Sequence, residues 1–275
     1  AADMRAKGFL LGATAGRTSL NGEGLQHQDG HSHIQAGLIP NCISYDPCYA
    51  YELAVIMWRG LNHMYAEHED VYYYITMMND NYIQRAMPEG VEEGILAGIY
   101  PLEKPKAKVG AKHVQLVGGG AILKEVEAAA DLLQKDFKVT STLWSLTSAN
   151  ALYRDYQQTQ RYNARHLPAK PKKSYLETVF ADHQGPIVCS TDYIKQYTEV
   201  LRGALGDRLI ALGTDGFGRS DTRPQLRHHF EVDRYHVAYH AMYGLYQQGA
   251  IDKATLKKAQ QKYQITADKS DPLYC

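Results

Sequence analysis

The sequence is poor in cysteine, carries no net charge and has no long apolar run. Four cysteines in 275 residues (Cys42, Cys48, Cys189 and Cys275) form neither a dense framework nor a C-x-x-C pair, so reduced thiols in a cytoplasmic protein are expected. Thirty basic residues balance 30 acidic ones. Without a basic field, neither nucleic acid nor an anionic membrane is an expected partner. No stretch approaches the ~18 apolar residues of a membrane span. The N-terminus, Ala1-Ala-Asp-Met-Arg5, lacks the apolar stretch of a signal peptide and does not begin with methionine, so the chain reads as a piece of something longer. Phenylalanine and tryptophan are scarce (5 and 2), whereas tyrosine is abundant at 21. A ring with a polar tip suits interfaces, where these tyrosines are expected.

What is present is concentrated between Gly22 and His33, G-E-G-L-Q-H-Q-D-G-H-S-H, which holds three histidines, three glycines and two acids. It follows the apolar run Phe9-Leu-Leu-Gly-Ala13. An apolar run followed by a Gly- and His-rich segment reads as a buried strand opening into a functional loop. Glycine lets such a backbone reach φ > 0 and aim a side chain at close range. A plain solvated turn is the alternative, but it rarely gathers so many groups that titrate near neutrality.

The length predicts about two domains. Strands are expected at Phe9–Ala13, Asn41–Tyr45 and Val71–Thr76, with a helix from Pro47 to about Tyr65 that Asp46 would cap. A further helix should start at Pro88-Glu-Gly90 and run through Leu96. This order implies a parallel sheet with helices on its faces. Lys104–Lys112 carries charge, Pro and Gly without apolar periodicity and reads as a linker. Beyond it, strands are expected at Val114–Val117, Val139–Leu146, Ile187–Cys189 and Leu209–Gly213. Helices should follow Gly118-Gly-Gly120 and cover Ser148–Tyr162, Asp192–Leu205, Arg223–Phe230, Asp233–Gln248 and Asp252–Tyr263. Arg165–Lys173 should be a surface loop.

Histidine offers several constellations. His27, His31 and His33 could ligate a metal, but they share one loop with no second ligand-bearing segment, so no metal site is assigned to them. The better reading is that one of them projects into a pocket as an acid or hydrogen-bond donor. His236 and His240 stand four apart on a helix, yet lack the glutamate and third ligand of a zinc motif and read as a packed or surface pair. Adjacent His228 and His229 point different ways. Gly118-Gly-Gly120 could open onto a phosphate but lacks the G-x-G-x-x-G spacing, which favours a tight turn. Thr214-Asp-Gly-Phe-Gly-Arg-Ser-Asp221 could hold an anion through Arg219 or simply order the chain.

Several segments, in order, resemble one family. They are F-L-L-G-A-T-A-G-R-T-S-L-N-G-E-G-L-Q-H-Q-D-G-H-S-H, I-P-N-C-I-S-Y-D-P-C-Y-A-Y-E, V-Y-Y-Y-I-T, A-M-P-E-G-V-E-E-G-I and G-T-D-G-F-G-R-S-D-T-R-P-Q-L-R-H-H-F-E-V-D. From about Lys7 to Asp271 the chain is similar to the homodimeric first component of the pyruvate dehydrogenase complex, a thiamine diphosphate-dependent decarboxylating enzyme. Its first hundred residues more distantly resemble transketolase. The resemblance implies an α/β fold of two domains with mainly parallel sheets. Residues 1–105 would be the end of a pyrimidine-binding domain and 106–275 a transketolase-like C-terminal domain.

It also implies oxidative decarboxylation of pyruvate, with the acetyl unit passed to a lipoyl-bearing acetyltransferase. Thiamine diphosphate and Mg²⁺ would do the electronic work in the full enzyme. The family's metal-binding G-D-G motif has no counterpart here: Asp215 sits in T-D-G, but no asparagine follows it. The chain alone is therefore not expected to hold the cofactor. His27 aligns with the family's active-site histidine, where a donor to a developing alkoxide is worth roughly 3–4 kcal/mol in other enzymes. Asp29 and His31 are supporting candidates. Two rival readings are a transketolase-type ketol transfer, whose phosphate would need basic residues where the loop offers only Arg17, and a non-catalytic assembly module.

Overall fold

A run of β-branched and aromatic residues favours a pleated, half-buried surface, and Val71–Thr76 supplies one at the centre of the first sheet. In the computed structural model, which describes residues 1–13, 15–103, 112–167 and 169–275, that sheet contains β1 (Phe9–Ala13), β2 (Cys42–Tyr45) and β3 (Tyr72–Met77). The order is β1-β3-β2 and both pairings are parallel. The second sheet contains β4 (Ile99–Pro101), β5 (His113–Gly118), β6 (Thr140–Leu146), β7 (Ile187–Ser190) and β8 (Leu209–Leu212), in the order β4-β6-β5-β7-β8. It is parallel except for β4, which lies antiparallel to β6 at the edge. The fold class expected from the sequence is thus observed.

The helices are α1 (Ser32–Leu38), α2 (Ala50–Leu61), α3 (Glu92–Ala97), α4 (Leu123–Phe137), α5 (Ala149–His166), α6 (Tyr175–Val179), α7 (Gln196–Glu199), α8 (Arg202–Leu205), α9 (Arg223–His229), α10 (Arg234–Gln247) and α11 (Lys253–Lys262). They cover both faces of the second sheet, as parallel strands require. Val114 and Leu116 of β5 share a cluster with Val126 and Leu133 of α4, Val237 and Met242 of α10, and Leu256 of α11. Val117, one residue out of phase, faces the opposite cluster of Trp144, Leu152, Tyr193 and Tyr197. The first sheet packs Tyr45, Ile56, Tyr73 and Ile75 with Tyr100 and Leu123 of the second half.

Glu52 fastens the two halves. It is fully buried, and its Oε2 accepts from the N–H groups of Cys48 (2.5 Å) and Tyr49 (2.9 Å) at the start of α2. Its Oε1 accepts from Tyr100 Oη and Ser145 Oγ, both at 2.6 Å. A buried carboxylate with four donors is the arrangement burial demands.

Several expectations need correction. Asp46 does not cap α2, which starts at Ala50 behind Tyr49; the Asp46 carboxyl turns inward and accepts from Thr76 Oγ1 at 2.7 Å. The helix expected over Asp192–Leu205 starts only at Gln196, Asp192 being held in the interior by Thr18 N–H and Ser19 Oγ, and it is two short ones, with Leu201 N–H donating to Thr198 O between them. Helix α5 runs past Tyr162 to His166, four residues further than its pattern indicates. Three elements were not anticipated: α1, α6 and β4. The linker, apart from Lys112, and the boundary at 105 lie outside the described residues, but β4 already belongs to the second sheet.

Candidate functional site

The His-rich segment is more ordered than a hinge. Leu25–His27 form one turn of 3-10 helix, closed by the His27 N–H donating to Gly24 O at 3.0 Å. The His27 side chain is exposed. The next residue, Gln28, is buried. Its Nε2 donates to Leu20 O at 3.2 Å and to Arg219 O, and its Oε1 accepts from the Arg219 N–H at 2.7 Å. A Cβ on Gly218 would stand 2.6 Å from Leu25 O, so the two loops touch closely and glycine is needed there.

Arg17 anchors the other side. It is 2 % exposed, and its Nη1 donates to the carbonyls of Thr214 (2.7 Å) and Gly216. Its Nη2 lies 3.5 Å from His31 Nε2. Ile194 N–H donates to Gly30 O, and Arg17 N–H to Asp192 O. The loop is therefore seated on the segments that follow β7 and β8. In a parallel sheet these carboxyl ends are where ligands are usually met.

The structure separates the candidates. His27 faces solvent from a fixed turn. His31 lines an open depression of about 550 Å³ with Ile194, Lys195, Asp215, Phe217 and Leu273. Asp29 is spent as a local cap: its Oδ1 accepts from the N–H groups of His31 and Ser32, both at 3.0 Å, and its Oδ2 from Ser32 Oγ. His33 is no loop ligand. It sits inside α1, fully buried, where desolvation lowers its pKa to about 4.

His33 belongs to a polar chain that sequence reasoning missed. Its Nε2 lies 2.9 Å from Thr76 Oγ1, which donates to Asp46 Oδ1 at 2.7 Å; Tyr193 Oη reaches the same oxygen at 3.4 Å. Burial raises Asp46 to about 7. Among the described residues, His33 Nδ1 and Asp46 Oδ2 have no hydrogen-bond partner. The available signal was weak: Asp46-Pro47 looks like a turn, and Thr76 like one more strand residue.

The Gly-rich turn has no space for an anion. Gly118–Gly120 is a turn occupied by Asp46, whose Oδ2 would lie 2.6 Å from a Cβ on Gly120, so its carboxyl fills the space a phosphate would need. Arg17 is enclosed and bound to carbonyls, whereas Arg219 joins the loop contact through its backbone and keeps its side chain exposed.

Comparison with known families decides the origin of this arrangement. Residues 1–85 match the pyruvate dehydrogenase E1 component middle domain, and residues 98–233 match the transketolase-like C-terminal domain. The chain is 52% identical over 276 residues to the pyruvate dehydrogenase E1 component of Pseudomonas aeruginosa, and 53% identical over 274 residues to that of Escherichia coli K12. The chain belongs to the pyruvate dehydrogenase E1 family.

It spans about 30% of those relatives' length: 100% of this chain against 31% of the Pseudomonas protein, and 99% against 30% of the Escherichia one. The E1-family fold is shared with transketolases. The Campylobacter jejuni enzyme superimposes with a TM-score of 0.62 at 16% identity, covering 88% of this chain and 32% of that one. A split-gene transketolase in an inactive β4 tetramer gives 0.58 at 14% identity, covering 86% of this chain and 66% of that one. At such identities the likeness concerns the fold alone.

The described residues do not fit the metal-diphosphate part of a thiamine cofactor. Asp215 Oδ1 accepts from Lys195 N–H at 2.7 Å, and its Oδ2 lies 3.5 Å from Lys195 Nζ, so the T-D-G carboxylate is already engaged. The remaining Gly-rich turn faces Asp46.

Proposed function

We propose that this chain supplies the middle-domain end and the C-terminal domain of a pyruvate dehydrogenase first component, and that His27 is its contribution to the reaction. Residues 1–105 and 106–275 are read as those two portions. The observation that carries the proposal is the exposed imidazole of His27 on a turn fixed by buried Gln28. A side chain without a structural task, presented by a rigid support, is arranged to meet something outside the chain.

In this reading His27 offers a ring N–H to the oxygen of a 2-oxo acid as negative charge develops on it, an electrostatic contact that needs no reorganisation. Thiamine diphosphate and Mg²⁺ would be bound by residues beyond this chain and by a homodimer partner. The product acetyl group would pass to a lipoyl-bearing acetyltransferase, in the cytoplasm. No described helix is long and apolar enough to cross a membrane. The ketol-transfer alternative loses its phosphate partner because Arg17 is enclosed.

The test is His27→Ala in the full-length enzyme. Pyruvate turnover should fall by about 10²–10³, with dimerisation and melting temperature unchanged. Unchanged turnover removes the assignment. Calorimetry of the 275-residue chain with thiamine diphosphate and Mg²⁺ should detect no tight binding; micromolar binding would contradict the division of the site.

A further inference from the structure

The turn between α9 and α10 brings together three potential ligands. His228 comes from the last turn of α9, and Asp233 and His236 from the N-cap and first turn of α10. His228 Nδ1 lies 3.1 Å from Asp233 Oδ2, and His236 Nδ1 lies 2.9 Å from Asp233 Oδ1. One ligand atom from each residue can be chosen so that all lie within 4.8 Å of one another. Ligands about 2.0–2.1 Å from a tetrahedral ion stand roughly 3.3 Å apart, so small side-chain adjustments suffice. The two imidazoles are tilted by 58° with centroids 5.3 Å apart. They converge on the carboxylate and do not stack.

The surroundings hold this arrangement in place. Asp233 Oδ1 caps α10 by accepting from the N–H groups of Tyr235 (3.0 Å) and His236 (2.9 Å), which fixes the carboxylate while Oδ2 faces His228. Helix capping accounts for Oδ1; it does not call for a second imidazole on Oδ2. Nearby guanidinium groups are neutralised elsewhere: Arg227 pairs with Glu125 and Asp80, and Arg234 with Glu125. The site is open on one side, since the His228 side chain is half exposed while that of His236 is 3 % exposed. Water could reach a fourth position.

We propose that His228, Asp233 and His236 form a binding site for a divalent cation of the zinc class, clasping α9 to α10. Two imidazoles and one carboxylate suit such an ion better than Mg²⁺ or Ca²⁺, which take mostly oxygen ligands. The sequence pairs His236 with His240, one helical turn away. The fold instead pairs it with His228 across a chain reversal.

The 275-residue chain, stripped with a chelator and dialysed, is titrated with ZnCl₂ by calorimetry. Co²⁺ then serves as a spectroscopic probe of four-coordinate N/O ligation. Wild type should bind one Zn²⁺ in this site. His228→Gln and His236→Gln should each weaken that event by at least about a hundredfold and remove the Co²⁺ visible bands. His228 is half exposed, so its variant keeps the fold (checked by circular dichroism) should the His236 variant not. Absence of Zn²⁺ binding by wild type, or binding unchanged in His228→Gln, overturns the proposal.

Discussion

The backbone N–H of Arg219 donates to Gln28 Oε1 at 2.7 Å across 191 residues of sequence. That bond joins the turn presenting His27 to the loop after β8. Gln28→Ala would leave Leu20 O and both backbone groups of Arg219 without their partner. The cost should be about 2–3 kcal/mol, read from urea denaturation, with faster hydrogen exchange at the Arg219 amide. A loss below ~0.5 kcal/mol would show that the turn does not depend on this contact.

Arg17 should be intolerant of substitution. Arg17→Met keeps much of the bulk but removes the donors to Thr214 and Gly216. One buried and one part-buried carbonyl lose their partner, so a loss of about 2–4 kcal/mol is expected. Arg17→Lys should recover only part of it, because an ammonium lacks the planar fork. Equal stability of the Lys variant and wild type would contradict this account.

Glu52 offers a sharper contrast. Glu52→Ala leaves Ser145 Oγ and two backbone N–H groups unpaired and Tyr100 Oη with only Tyr51 Oη as its partner, and should cost about 3–5 kcal/mol. Glu52→Gln retains one acceptor and should cost markedly less. Thermal melts of both variants make the comparison.

The Asp46–His33 pair should give opposing pH dependences. Asp46 is raised to about 7, so the folded state holds its proton more tightly than the unfolded chain does. Its stabilisation is complete below about pH 4 and is lost as pH rises through 7. His33 is lowered to about 4, so its contribution is complete above about 6.5 and is lost as pH falls through 4. Between pH 4 and 6.5 the two oppose each other, each by at most about 1.4 kcal/mol per pH unit. Over that range Asp46→Asn should become more stable with rising pH relative to wild type, and His33→Gln less stable. Denaturant titrations at pH 5 and 6.5 measure both slopes; slopes of the same sign would refute the assignment.

Much of the molecule was legible before its fold. The run Val71–Thr76 declared a buried strand, and Val126, Ala129 and Leu133 a helix against a sheet, because side-chain periodicity reports which face is buried. The resemblance around His27 pointed to the family. Short elements escaped: α1 begins inside a His-rich stretch whose composition suggests a loop, and β4 has three residues, one of them proline. Asp192 lies outside the helix expected to start with it because its carboxyl is bound by Thr18 and Ser19, far away in the chain.

The sequence by itself determined the alternation of strands and helices and the family, since each depends on local pattern or on motif, and it is the source of the proposal for His27. Only the tertiary structure decided which of His27, His31 and His33 is exposed, that Asp46 faces Thr76, and that His228 meets His236. Burial and desolvation depend on contacts far apart in the chain, and the same imidazole is solvent-facing at one position and a neutral core group six residues later.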